Sequence, residues 1–315
     1  MPVFALSRRS FLKLSIGGIL SGAVFSLLGG LYALRIEPRW VEVTRPRIAL
    51  RRLPKALEGF TIAHLSDIHL GPYVRPQDVR MAVWMVNALK PDLIVLTGDF
   101  VYHSARYSAA CAKELASLSA PCGVYAVLGN HDVWTDAGKV VRDLREAGVR
   151  VLRNEREAVE IGDARLWLLG IEDTGYTGFL GGFFSDFQAM WQKAAQALAG
   201  LLDEIPPDEP RILLVHNPDF TEMLPDEQID LALCGHTHGG QVRLPFIGAP
   251  VLPSCFGQKY AAGLVSNEHT LVYVNRGLGL IYPPIRFNCR PEITLIQLKS
   301  FLTPSVDLTN PVLPL

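Results

Sequence analysis

An α/β fold, with sheets covered by helices and one apolar helix ahead of them, is what this 315-residue chain predicts. Three observations predict it. Short apolar runs rich in β-branched residues alternate with helix-like segments, the rhythm of sheets with helices on their faces. Polar residues gather where those runs end, which is where open α/β sheets assemble their sites. An uncharged, mostly apolar stretch of 21 residues, 14–34, precedes all of this.

Composition narrows the function classes. Hydrophobic residues make up 49% and charged residues 19%, which excludes a disordered or fibrous chain. The 30 basic and 31 acidic side chains leave no overall basic field of the kind that binds nucleic acid. The charge is nevertheless uneven: residues 1–34 carry +3, residues 35–55 carry +5, and the rest carry −9. A basic, apolar start before an acidic body suggests a membrane-facing segment and a body that holds cations.

The first element is the apolar run. About 20 helical residues cross a bilayer core, so 14–34 is long enough to span. Directly before it stands Ser7-Arg8-Arg9-Ser10-Phe11-Leu12-Lys13. Paired arginines ahead of a moderately apolar, Gly-containing stretch resemble the twin-arginine export signal, whose machinery would then be a partner. The competing reading is a plain membrane anchor whose arginines obey the positive-inside rule. No A-x-A site follows the run, which admits an uncleaved segment. The flank after it (Arg35, Arg39, Arg45, Arg47, Arg51, Arg52, Lys55) is the more basic one, and by the positive-inside rule it would put the body in the cytoplasm. Export would instead put it in the periplasm or at the inner membrane's outer face, so both sides stay open.

A strand at 40–50 and a Pro-containing link follow. Further strands are expected at 60–66, 92–97, 123–128, 165–171, 211–215, 230–234, 270–275 and 292–298, and helices at 76–89, 105–118, 136–147 and 185–202. Pro76 suits a helix start and Gly148 a helix end. The division expected is 1–34 for the signal or anchor, 35–57 for the basic strand and link, 58–300 for the body and 301–315 for a tail. Five cysteines without a C-x-x-C pair imply neither a zinc knuckle nor a dense disulfide framework. Cys234 reads as a small buried residue, and a Cys111–Cys122 bridge is conceivable only if the body is exported.

The chemistry sits at the strand ends. The run at 60–66 leads into Asp67-Ile68-His69, the run at 92–97 into Gly98-Asp99, and the run at 123–128 into Gly129-Asn130-His131-Asp132. The run at 211–215 ends at His216-Asn217, and that at 230–234 enters Gly235-His236-Thr237-His238-Gly239-Gly240. Residues two apart in an extended segment face one side, so Asp67 with His69, and His236 with His238, are expected to point together. Asp, Asn and His without Cys suit divalent Mn, Fe or Zn. One such residue alone is ordinarily a satisfied polar group; five motifs at successive strand ends point to metal.

In this order the motifs D-x-H, G-D, G-N-H-[DE], H and G-H-x-H resemble the calcineurin-like metallophosphoesterase superfamily. The resemblance runs over nearly all of 58–298 and implies a four-layer α/β/β/α sandwich with two divalent metal ions. It further implies that Asp67, His69 and His238 bind one ion and Asn130, His216 and His236 the other, with Asp99 bridging. His131 would contact the substrate phosphate or protonate the leaving oxygen, with Asp132 orienting its ring. Binuclear phosphodiester hydrolysis on envelope or membrane-associated phosphoesters is the activity implied. Hydrolysis of UDP-2,3-diacylglucosamine in lipid A synthesis is the alternative, and the complete ligand set disfavours a non-catalytic metal-binding module.

Late segments around Arg276 and Arg286 resemble the subfamily with an N-terminal membrane segment. Either arginine is a candidate phosphate contact, with a structural role as the other reading. Asn130 and Asn217 are candidate substrate contacts, Asn217 alternatively a helix cap. Aromatics in a Gly-rich loop at 175–184, with Phe187 and Trp191 after it, suggest either a lip for a lipid-linked substrate or packing of a helix onto the sheet.

Overall fold

The computed structural model describes residues 8–175, 184–226, 228–268 and 270–301. The chain begins with helix α1 (Arg8–Leu31), whose apolar side chains Phe11, Ile16, Leu20, Val24 and Phe25 face outward. Among the described residues one helical stretch, Phe11–Arg39, is long and apolar enough to cross a membrane.

The expected first strand is two short ones, β1 (Glu42–Thr44) and β2 (Arg47–Leu50), separated at Arg45-Pro46. Proline has no N–H to give to a ladder, which accounts for the break. Both pair with β13 (Glu292–Ser300), so this basic segment is woven into the body. The first sheet continues from β13 to β3 (Thr61–Leu65), β4 (Leu93–Thr97), β5 (Val124–Val127) and β6 (Arg150–Val151). Strands β3 to β6 run parallel, and β13 runs antiparallel to β3.

The second sheet has the order β11 (Gly263–Ser266), β12 (Leu271–Val274), β10 (Leu231–Cys234), β9 (Arg211–Leu214), β8 (Ala164–Gly170), β7 (Glu155–Ile161). Its four central strands are parallel and its two edge strands antiparallel to their neighbours.

Side chains alternate across each strand, and the two faces of each sheet feed different cores. Ile62, Val95 and Val127 point toward Leu168, Ile212 and Leu233 of the other sheet. Ala63, Leu96 and Ala126 point the other way, onto α2 (Pro76–Leu89), α3 (Ser108–Leu115) and α4 (Asn130–Glu146). Leu169, Leu213 and Val272 meet the remaining helix, α5 (Phe184–Leu202), whose Trp191 is wholly buried against Phe220. Helices, sheet, sheet, helix is the four-layer sandwich expected.

Three strands escaped the sequence reading, β6, β7 and β11, and all three are sheet edges. An edge strand is half solvated and carries charge, as Glu155, Arg156 and Glu157 do in β7, so it lacks the continuous apolar run of a central parallel strand. Helix α4 starts six residues before the expected position, so the G-N-H-D motif forms its first turn, and the chain kinks at Asp136. All five cysteines are free thiols, Cys234 fully buried among them. The aromatic loop's residues 176–183 lie outside the described residues, as does 302–315 of the expected tail.

Candidate metal centre

Five strands deliver the motif residues. In the first sheet β3, β4 and β5 are neighbours and lead into Asp67 and His69, Asp99, and Asn130 and His131. In the second, β9 and β10 are neighbours and lead into His216 and into His236 and His238.

Asp67 and His69 point together as expected, though not from extended backbone, while the expectation that His236 and His238 point together is corrected by the structure. Asp67, His69, Asp99, His236 and His238 all adopt positive φ, between 48° and 72°. That left-handed region is uncommon outside glycine, and such strain concentrates at functional sites. The turn it makes sends His236 and His238 to different partners.

His69 Nε2 lies 3.0 Å from His238 Nε2. Asp67 Oδ1 is 3.3 Å from His238 Nε2 and 3.8 Å from His69 Nε2. Around the other histidine, His236 Nδ1 stands 2.8 Å from Asn130 Oδ1 and 3.3 Å from His216 Nε2. Asp99 Oδ2 lies between the groups, 3.2 Å from His216 Nε2 and 3.3 Å from His69 Nε2. Asp67 Oδ1 also reaches within 3.9 Å of His216 Nε2.

These spacings fit divalent cations. Ligand atoms about 2.1 Å from one ion stand about 3 Å or slightly more from each other. Asp67 with His69 and His238, and Asp67 with Asp99 and His216, form buried groups whose ligand atoms lie within 4.8 Å of one another. His216 is held for such a role, its Nδ1–H donating to Thr97 O at 2.6 Å.

The family model for calcineurin-like phosphoesterases matches residues 60–240, the stretch that carries all of these ligands. The chain is 35% identical over 299 residues to the metallophosphoesterase YkuE of Bacillus subtilis, covering 94% of this chain and 98% of that one. It is 33% identical over 300 residues to the phosphodiesterase YaeI of Escherichia coli, covering 93% and 99%. The chain belongs to the calcineurin-like metallophosphoesterases. It is also 30% identical over 318 residues to the UDP-2,3-diacylglucosamine pyrophosphatase LpxG of Chlamydia muridarum, covering 86% and 93%. The protein is accordingly a metal-dependent phosphoester hydrolase.

Charge in this metallophosphoesterase's centre is tightly coupled. Burial works against ionised Asp67 and Asp99, yet neighbouring imidazoles outweigh it and hold both carboxyls well below their usual range. Burial likewise opposes a charged His216, but Asp99, Asp67 and Asp173 raise it well above the ordinary histidine value. Without cations the ring takes up the positive charge that the carboxylates demand.

Two expected roles change on inspection. Asp132 was expected to orient the His131 ring, but it bonds to backbone instead. Its Oδ1 accepts from Phe100 N at 2.9 Å and Val101 N at 3.3 Å, and its Oδ2 from Asp99 N at 2.9 Å and Gly129 N at 3.0 Å. Asp132 therefore shapes the Asp99 loop, while His131 Nδ1 has no partner among the described residues. The His131 ring is held by its aromatic neighbours His69, His103, Trp134 and Tyr102, and the residue's backbone N–H donates to Asp99 Oδ1 at 2.8 Å.

The expected phosphate contact of Arg276 is also corrected. Its guanidinium is committed to Glu292 at 2.9 Å and Glu42 at 2.8 Å. Arg286 is fully buried and donates to the carbonyls of Arg276, Gly277, Gly279 and Cys289, a knot that shapes the loop beneath Asp67. Asn217 caps the turn Pro218–Met223, its Oδ1 accepting from Asp219 N at 2.9 Å.

Some residues that build the centre show their role only in the fold. A Cβ on Gly235 would stand 1.8 Å from Ser66 Oγ and 2.3 Å from Asp67 Oδ2, so only glycine lets the two sheets' loops close there. Asp173, after β8, is buried and pushed up to about 7 by burial above all, with one carboxylate oxygen lacking a partner among the described residues. Gln241 donates to Ile281 O at 3.2 Å and Pro283 O at 3.0 Å, fastening the second histidine loop to the 281–283 segment.

Proposed function

We propose that this metallophosphoesterase is a membrane-associated phosphodiesterase that holds two divalent cations and cleaves envelope or membrane-linked phosphoesters. The observation that carries the reading is Asp99, one carboxylate oxygen set between His69 of one cluster and His216 of the other. Asp67, His69 and His238 would hold one ion and Asn130, His216 and His236 the second, with Asp99 serving both. Mn, Fe and Zn suit these donors. Bound there, two cations neutralise phosphate charge and bring a water's pKa down toward neutrality.

The chain's own groups do the rest. His131 is pushed down to about 3, by burial first and by the neighbouring histidines, so its ring is neutral near pH 7. A neutral ring donates a hydrogen bond to phosphate or leaving oxygen rather than a full proton. Asp132 fixes the Asp99 backbone through four N–H groups, which keeps the shared carboxylate in place. Among the described residues neither Lys nor Arg lines the cavity over the centre, a setting that suits a singly charged diester better than a monoester dianion.

The test is the full chain, stripped of metal and reloaded with Mn, Fe or Zn singly. Assayed against bis(p-nitrophenyl) phosphate, p-nitrophenyl phosphate and UDP-2,3-diacylglucosamine, it should turn over the diester only when loaded, and faster than the monoester. Absence of metal-dependent turnover of all three overturns the proposal. Pyrophosphate hydrolysis of UDP-2,3-diacylglucosamine on the cytoplasmic side is the second reading, favoured by the basic flank from Arg35 to Lys55 and the similarity to LpxG. A topology reporter at the C-terminus separates the two sides. Replacing Arg8 and Arg9 with lysine in the same reporter tests the export signal.

A further inference from the structure

A cavity of about 540 Å³ opens beside the ligand cluster, within the roughly 300–1,000 Å³ of ordinary ligand sites. Its polar end is the centre itself, with Asp99, Asn130, His131, His236 and His238 in its lining. Away from that end the walls are apolar, Val242, Pro250 and Val251 from one loop and Ile281, Pro283 and Ile285 from another. We infer that this trough holds an acyl chain of the substrate, and that the chain reaches it from a bilayer that α1 is long and apolar enough to cross. The inference rests on the phosphodiesterase reading and names the substrate class: an acyl-bearing lipid phosphoester.

Two features argue for that occupant. The chemistry is one: sugar or nucleoside hydroxyls against these walls would lose water without gaining partners, while hydrocarbon loses nothing. Position is the other. The wall that carries Ile281 to Ile285 is fastened to the foot of the apolar N-terminal helix, Arg286 N donating to Ala33 O at 3.0 Å. Pro284 of the same wall faces a second groove shared with Leu34, Arg35 and Arg39. Beyond it, a turn closed by Leu244 N to Gly248 O at 2.8 Å holds Phe246 and Ile247 out in solvent, and Arg243 N to Phe287 O at 2.9 Å ties that turn to the wall's continuation. Hydrogen bonds thereby join the exposed apolar tips and the apolar trough to the foot of the apolar N-terminal helix. Gln241, which follows the His238 loop, clamps Ile281 and Pro283, so trough and ligand loop are held as one unit.

The experiment measures binding of alkylphosphonates of two to twelve carbons by calorimetry, with the full, metal-loaded chain in lipid nanodiscs. Val251→Asp in the same nanodiscs corrects for partitioning into lipid, and Val251 is exposed enough for a carboxylate to leave folding intact. In the wild type, Kd should fall roughly two- to fourfold for each added methylene until the trough is full. In Val251→Asp the slope should drop to that of empty nanodiscs. Equal slopes in the two proteins overturn the inference, as does a Kd independent of length in the wild type. The outcome is separable from the function assay: diester turnover with a flat binding series removes the trough alone, and a length-dependent series without turnover removes the phosphodiesterase reading alone.

Discussion

Nε2 of His69 and Nε2 of His238 stand 3.0 Å apart although 169 residues separate them in the chain. Two imidazole lone pairs at that distance repel unless a proton or a cation lies between them. The Asp67 oxygen 3.3 Å from the His238 nitrogen supplies the third donor that favours a cation.

Asp99→Ala removes the carboxylate oxygen that stands within 3.3 Å of a histidine of each cluster. At least one metal equivalent should be lost, with turnover of bis(p-nitrophenyl) phosphate falling at least about 100-fold. Elemental analysis beside the rate assay checks this; full metal content at full rate contradicts it.

Asp132→Ala should be a stability mutation before it is a catalytic one. Four backbone N–H groups lose their acceptor, and leaving buried donors unpaired costs about 3 kcal/mol or more in total. Urea denaturation reads the loss. A stable variant with a lowered kcat would return Asp132 to the ring-orienting role.

Arg276→Gln separates an ion pair from a phosphate contact. It leaves the buried Glu292 carboxylate without its cation, at a cost of about 3 kcal/mol. KM for a short soluble diester should stay within about twofold of wild type, because Arg276 is absent from the cavity lining. A tenfold higher KM at unchanged stability would restore the phosphate contact.

His64 gives stability a pH dependence. It is fully buried, its Nε2 2.8 Å from Thr97 Oγ1, and burial drops it from 6.5 to about 4. The unfolded chain takes up this proton near pH 6.5 and the folded one only near pH 4. Stability is therefore intact above pH 6.5 and declines as pH falls through that window, by about 3 kcal/mol at full extent. Denaturation midpoints from pH 7 to pH 4.5 should fall more steeply for the wild type than for His64→Gln. Parallel curves would show that His64 is protonated in the fold.

Much of this protein is written locally. Central parallel strands are buried on both faces, so β3, β4, β5, β9 and β10 stand out as apolar runs, and the metal motifs follow them directly. Residue types at strand ends were enough to name the chemistry. The edge strands β6, β7 and β11 were illegible because half-solvated strands carry charge or are too short to show a run. The tertiary structure alone decided that five ligands turn through left-handed backbone rather than an extended segment. It alone bound Asp132 to backbone and Arg276 to Glu42 and Glu292, and set the apolar trough against the centre. The reason is physical: adjacent positions encode propensity and burial, whereas the partner of a polar group is settled when two sheets pack and bring distant loops to one place.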